Sequence, residues 1–435
     1  MDDTNVLKKT PRITDANVTE NRISRASVST NQKGKILILV ENLSFPFDQR
    51  VWREATTLKK AGYKVIVISP MGEVIDNTSY EVINDIDVYR FKNTFEVKSG
   101  MFGYLGEYSL ALIKMFFLSL SVFFKQGFDV IQICNPPDVL FLVTLPFKLL
   151  GKKVVFDQHD LSPEIYLSKK GLNKSNFVHK ALLILERLTY RFSDVVISTN
   201  QSYKKLAITR GGVNPERIFI VRNAPDPEIH KKISSNGLTF PNNSTNQNIL
   251  CYLGIMGLQD GVDYLLRALH HLIHTHKRKD FHTILVGSGP ELSSLKNYTR
   301  SLGIDDFVTF TGRLPYEEAL KKVSNADICL CPDPKTPLNN VSTMSKVIDY
   351  MSMGKPIVSF DLKETKFSAG EGSLYSRAND ERDFANNIKQ LLDSYELRKE
   401  LGKIGRARFQ NILSWEHSMK NLYQAYKLAF KDISK

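Results

Sequence analysis

One pattern constrains this chain more than any other, and it is written twice. From Lys35 onward, short apolar runs alternate with amphipathic stretches: KILILV, YKVIVISP, FDVIQIC, KKVVFDQHD and SDVVISTN. Runs this short and this rich in Val and Ile suit parallel strands covered on both faces. After the first run, Asp48 is placed to cap a helix on which Val51, Ala55 and Leu58 share one face, and Gly62 ends it. A polar gap, KKISSNGLTFPNNSTNQN, interrupts the pattern at residues 231–248. The pattern then restarts with NILCYLGIM, FHTILVGSG, DFVTFTG, ADICLCP and KPIVSF. A last helix, capped by Ser414, carries Trp415, Met419, Leu422, Tyr426 and Ala429 on one stripe.

The expected fold is α/β, with two doubly wound Rossmann-like domains facing a cleft. The expected divisions are a disordered polar tail over 1–33, a first domain over 34–230, a linker over 231–248 and a second domain over 249–408. Residues 409–435 form a terminal helix packing back toward the first domain. In such sheets ligands sit beyond the carboxyl ends of the strands, here between the domains.

Fifty-nine Lys and Arg against forty-six Asp and Glu leave a formal charge of +13, which favours anionic partners. The basic residues are spread along the chain without a nucleic-acid motif, so nucleic acid is not an expected partner. Cys134, Cys251, Cys329 and Cys331 form no CxxC pair and sit in or beside apolar runs, which suits reduced thiols in a cytoplasmic protein. The first 32 residues hold no apolar core of a secretory signal. YSLALIKMFFLSLSVFF at 108–124 is shorter than the roughly 20 residues that span a bilayer, and Lys114 interrupts it. It reads either as a buried helix or as a helix lying on a membrane, flanked by Lys114 and Lys125.

Chemistry concentrates in NNVSTMSKVIDYMSMGKPIVSF, residues 339–360. Ser342 or Thr343 is expected to cap a helix running to about Met353, with Gly354 as its stop. The start of a helix carries unsatisfied amides and partial positive charge, and Lys346 would add a full charge in the first turn. Asp349, three residues on, faces the same way and could hold a ribose diol, so phosphate plus diol suggests a nucleotide. The plainer alternative is an ordinary capped helix with a solvated Lys and Asp. Gly287-Ser288-Gly289-Pro290 lacks the full dinucleotide spacing and reads as a tight turn. In the first half, His159, Asp160 and Glu164 follow a strand in FDQHDLSPE. His159 is suited to hydrogen bonding or proton transfer, or it caps the next helix with Asp160. Asn135 in Asn135-Pro136-Pro137-Asp138 could line the same cleft, and Arg50 could reach an anionic acceptor or remain a surface residue.

These blocks together resemble the GT-B glycosyltransferases of the large retaining group called family 4, in its bacterial surface-polysaccharide branch. The matching segments are ENLSFPFDQRVWREATTLKKAGYKVIVISP, VVFDQHDLSPEIY, YLGIMGLQDGVDYLL, ILVGSGPELSSL and STMSKVIDYMSMGKPIVSF. The resemblance implies a nucleotide-sugar donor, commonly UDP-linked, in the second domain and a glycan or lipid-linked acceptor in the first. It implies transfer with retention and no metal cofactor. Separately, the basic charge and the 108–124 stretch extend the expected cytoplasmic location to peripheral contact with an anionic membrane at the inner face of the cell membrane. The resemblance places Asp349 at the donor's ribose and His159 near the sugar and acceptor, while Ser342, Thr343 and Lys346, read from the helix start, are the candidates for the donor phosphates, with Gly257 expected on the same side. Arg50, Asn135 and Asp160 are expected on the acceptor side. The family's paired glutamates fall on Val341 and Asp349, and its diphosphate-binding Arg and Lys fall on Met256 and Asp260, so the donor phosphates need other partners. A nucleotide-sugar 2-epimerase on the same fold and a non-catalytic partner of a transferase are the rival readings.

Overall fold

The computed structural model describes residues 33–72, 77–92, 101–169, 176–225 and 247–431. Residues 1–32 of the expected tail and 231–246 of the expected linker lie outside them, and Asn248, expected to end the linker, already begins a strand. The first domain holds β1 (Lys35–Leu39), β2 (Lys64–Pro70), β3 (Tyr80–Ile83), β4 (Ile86–Phe91), β5 (Val130–Cys134), β6 (Lys153–Gln158), β7 (Val195–Ser198) and β8 (Ile218–Ile220). They form one sheet in the order β3-β4-β2-β1-β5-β6-β7-β8, parallel except for the β3–β4 hairpin. The second domain holds β9 (Asn248–Leu253), β10 (Phe281–Val286), β11 (Val308–Gly312), β12 (Ile328–Cys331), β13 (Ile357–Phe360) and β14 (Ser373–Ser376). Their order is β11-β10-β9-β12-β13-β14, all parallel.

Each sheet is therefore doubly wound, with a reversal of strand order between β1 and β5 in the first domain and between β9 and β12 in the second. Loops leaving two strands in opposite directions open a crevice at such a point. The apolar runs fill both faces of each sheet. In the first domain, Ile36, Ile38, Val65 and Val67 pack under the Gln49–Lys60 and Trp415–Lys431 helices. Leu37, Leu39, Ile66 and Ile68 face the opposite layer, built on the Met101–Lys125, Phe141–Leu149 and Phe177–Phe192 helices.

Asp48 caps the Gln49–Lys60 helix as expected, accepting from the amides of Arg50 and Val51 at 3.0 Å each. The Trp415–Lys431 helix belongs in space to the first domain. Trp415 Nε1 donates to Thr57 Oγ1 at 2.9 Å, Asn421 to the Ile220 carbonyl at 2.8 Å, and the Tyr426 hydroxyl to Gln132. The chain thus crosses the cleft a second time and ties the two domains together.

The apolar stretch at 108–124 lies in the Met101–Lys125 helix, whose inner residues Ala111, Met115, Ser119 and Val122 are buried in the first domain. Its outer face is open: Ile113, Phe117 and Phe124 are exposed, Phe124 by 78%. A fully buried helix is therefore not what forms. The helix is long and apolar enough to cross a bilayer, but its inner stripe is committed to the sheet.

Candidate active site at the domain cleft

The loops leaving β9 and β12 meet at the second domain's crevice. The β9 loop carries Gly254 to Asp260, and the β12 loop carries Asp333 and leads into the Ser345–Ser352 helix. Gly287 and Gly289 serve the packing of these loops. A Cβ on Gly287, at φ +139°, would stand 1.8 Å from the Gly254 carbonyl oxygen, and one on Gly289 would stand 2.5 Å from that of Met256. The expected tight turn is thus a close approach of two backbones, sealed by Met256 N–H to Ser288 O at 3.1 Å.

Neither Ser342 nor Thr343 caps the helix. Met344 occupies the N-cap position, and its side chain makes no capping hydrogen bond. The two hydroxyls are used elsewhere, because the preceding loop is pinned across the domain boundary. Asn200 Nδ2 donates to the Val341 carbonyl (2.9 Å) and to Thr343 Oγ1 (3.0 Å). Ser342 Oγ donates to the Leu338 carbonyl at 2.9 Å and lies 3.1 Å from the Tyr203 hydroxyl.

Lys346 is buried and held by Asp333, with Nζ 2.8 Å from each carboxylate oxygen; Asp260 Oδ1 stands 3.9 Å away. The ammonium also lies 5.0 Å from the centre of the Tyr252 ring. Burial disfavours its charge, but Asp333 outweighs burial and holds the Lys346 pKa well above the usual lysine range. Asp349, one turn on, is buried as well and accepts from the Tyr316 hydroxyl at 2.7 Å. Burial lifts its carboxyl to about 7, against the opposing pull of the Tyr316 hydrogen bond and of Arg53 from the first domain. Gly257 donates its amide to Asp260 Oδ2 at 3.0 Å, so this turn is closed by its own chain. Burial lifts the Asp260 carboxyl to about 6.

The first domain's wall is organised differently. Arg50 is a buried hub and not a surface residue. Nε and Nη2 reach the two Asp157 oxygens at 2.9 and 2.6 Å, Nη1 reaches the Val221 carbonyl and Asn223, and Glu54 lies 3.1 Å away. Asn135 is likewise spent on structure. It donates to Asp138 (2.7 Å) and to the Asp160 carbonyl (2.8 Å) and accepts from the His159 (2.7 Å) and Asp160 (3.2 Å) amides. It moulds the turn that presents His159, and Asp160 takes part through its backbone.

His159 Nε2 lies 2.6 Å from Asp157 Oδ2. Burial opposes its charge, but the Asp157 carboxylate beside it favours the imidazolium and pushes its pKa well above the usual histidine range. Cys134, Asp157 and His159 bring three ligand types within 4.8 Å of one another. They do not fit a metal ion, because Asp157 already neutralises Arg50 with both oxygens and a cation would face that guanidinium.

Two family profiles match this chain, one per domain. Residues 49–229 match Glycosyltransferase Family 4, and residues 247–394 match Glycosyl transferases group 1. The chain belongs to the GT-B glycosyltransferases. An uncharacterized glycosyltransferase of Methanocaldococcus jannaschii is 21% identical over 261 residues, which span 58% of this chain and 64% of the relative. Among solved structures, sucrose-phosphate synthase from Thermosynechococcus elongatus superposes with a TM-score of 0.72 at 17% identity, over 92% of this chain and 99% of that one. Anabaena HepE, solved with UDP-glucose, superposes at 0.65 and 15% identity, over 91% and 99%.

Set on the GT-B frame, the departures at the donor positions acquire physical reasons. Val341, which falls where the resembled family has a glutamate, packs into an apolar seam with Leu161, Tyr203 and Leu338 that joins the two domains. Met256 is fully buried in the second domain's core. Glu364 works across the same seam, where its carboxylate accepts from the Ser202 amide at 3.2 Å at the start of the Gln201–Thr209 helix. Sequence reasoning missed Asp333, Tyr316 and Asn200. The nearest signal for Asp333 was its place two residues after a strand that borders the crevice.

Proposed function

We propose that this GT-B protein moves a sugar from a UDP-linked donor to a lipid-linked or polysaccharide acceptor, with retention at the anomeric carbon, in surface polysaccharide synthesis. The observation that carries the reading is the pair Lys346 and Asp349, one helical turn apart at the strand-order reversal and beside the first domain. An ammonium suits a diphosphate, and a carboxylate suits the two hydroxyls of a ribose. The solved complex of HepE with UDP-glucose supports the choice of nucleotide.

Departure of the nucleoside diphosphate builds charge on the β-phosphate. A cation placed there stabilises that charge more in the transition state than in the ground state. His159, charged and fixed by Asp157, acts as a hydrogen-bond donor toward the sugar or phosphate. The leaving phosphate then takes the acceptor's proton on the same face, which preserves configuration.

The outer face of the first domain supports the lipid side of the proposal. Phe117 and Phe124 share it with Leu149, Leu150, Phe177 and Ile184, all exposed. Lys125 ends the Met101–Lys125 helix, and Lys148 lies in the last turn of the Phe141–Leu149 helix, where it pairs with Asp194 at 2.6 Å. An apolar surface edged with lysines matches an anionic bilayer at the inner face of the cell membrane.

Incubation with a panel of nucleotide sugars and acceptors tests the reading. Release of nucleoside diphosphate only when an acceptor is present supports transfer. A changed sugar without acceptor identifies an epimerase. Donor binding with no release on any acceptor identifies a non-catalytic partner.

A further inference from the structure

The donor side of the cleft carries the wrong sign of charge for its proposed ligand. Lys346 brings one positive charge, while Asp333 and Asp260 bring two carboxylates to the same ammonium, at 2.8 and 3.9 Å. Tyr252 from β9 and Cys331 from β12 complete the surroundings, the Cys331 Sγ donating to Asp333 Oδ2 at 3.1 Å. Two of the three ammonium protons are directed at Asp333, which is buried. A diphosphate arriving here meets an ammonium that is already neutralised.

We infer that Asp333 is an internal counter-ion that occupies the Lys346 ammonium in the free protein and yields it to the donor's diphosphate. This rests on the donor-site reading above and adds to it a positioning residue that sets donor affinity. The physical basis is the cost of buried charge. A buried ion pair is hard to break one-sidedly, because the partner left behind keeps its charge without its counter-ion. When the diphosphate takes Lys346, Asp333 is the partner left behind, beside further negative charge and with the weak Cys331 thiol donor. Donor binding is therefore opposed by Asp333. An uncharged amide at that position would remove the opposition while keeping the shape. Asp260 remains within reach of Lys346, so the lysine in such a variant still has a carboxylate nearby.

The test is calorimetric titration of the full chain and of Asp333→Asn with UDP and with uridine. The expected result is UDP affinity about tenfold higher in Asp333→Asn, a change of about 1.4 kcal/mol, with uridine affinity unchanged and Asp333→Glu restoring the weaker binding. A purely structural role would move UDP and uridine together. Equal or weaker UDP binding in Asp333→Asn overturns the exchange and makes Asp333 a group that orients Lys346 toward phosphate. Failure of UDP to bind either form overturns the donor-site reading itself, an outcome distinct from equal binding to both. Should Asp333→Asn not fold, the unsubstituted protein crystallised with UDP decides. Lys346 on a phosphate oxygen and away from Asp333 supports the exchange, and Lys346 still on both Asp333 oxygens overturns it.

Discussion

The two walls of the cleft use buried charge in opposite ways. In the first domain, Arg50, Glu54, Asp157 and His159 form one network that continues through Gln132 to Tyr426 on the terminal helix. The members share partners there, so removing one disturbs several contacts at once. In the second domain, Lys346 is held chiefly by Asp333, and Asp349 accepts from Tyr316. The first wall is cross-linked through its own domain as far as the terminal helix, while on the proposed donor reading the second trades internal contacts for a ligand's.

The sharpest way to break this contrast is to remove the hub of the first wall. Arg50→Ala leaves Asp157 and Glu54 buried without their shared cation, and a loss of about 3–5 kcal/mol is expected in denaturant unfolding. A loss under about 1 kcal/mol, the scale of an exposed pair, would show that the network is not cooperative.

The second wall should respond in activity before stability. Lys346→Ala is expected to lower turnover about tenfold or more, on the scale of losing one oxyanion donor. Unchanged steady-state turnover would remove Lys346 from the reaction.

Asp349 sharpens the contrast through pH. Ribose hydroxyls donate to the ionised carboxylate, and burial holds this carboxyl at about 7. Nucleotide binding should release a proton, so affinity should rise with pH up to and through about 7 and then level off. Asp349→Asn should bind less tightly and lose that slope, as titrations between pH 6 and 8 would reveal. An unchanged slope in the variant would move the titration to another group.

The smallest effect is expected at the strap between the domains. Trp415→Phe removes the hydrogen bond to Thr57 and keeps most of the apolar contact, so about 1 kcal/mol of stability should be lost. A much larger loss would mean that the terminal helix governs the fold of the first domain.

Much of the fold was legible in the residues. Ten of the strands coincide with apolar runs, because a strand covered on both faces must be apolar throughout. The strands that escaped were β3, β4, β8 and β14. β8 has only three residues, and β14 reads SLYS, with a serine at each end in place of an unbroken apolar run. The β3–β4 hairpin did leave a trace: Asn84 and Asp85 adopt φ of 49° and 59°, the positive pair that a tight hairpin turn demands of such residues. In the site, His159, Lys346 and Asp349 stood out as chemistry placed just beyond strands. The partners that decide their state did not, since Asp333 lies 13 residues before Lys346 and Tyr316 lies 33 before Asp349. The internal partners of Arg50 and Asn135 were hidden for the same reason: a polar residue beside a crevice looks alike in sequence whether it faces the ligand or holds up the wall.

Taken alone, the order of residues determined two doubly wound domains, the strand ends where chemistry collects and the residue types available there, since apolar periodicity and turn residues are local properties. Only the tertiary structure decided which charges are spent on one another. Ion pairing inside a protein depends on burial and on distances of a few ångströms between segments far apart in the chain, and that is why Asp157 could claim Arg50 and Asp333 could claim Lys346.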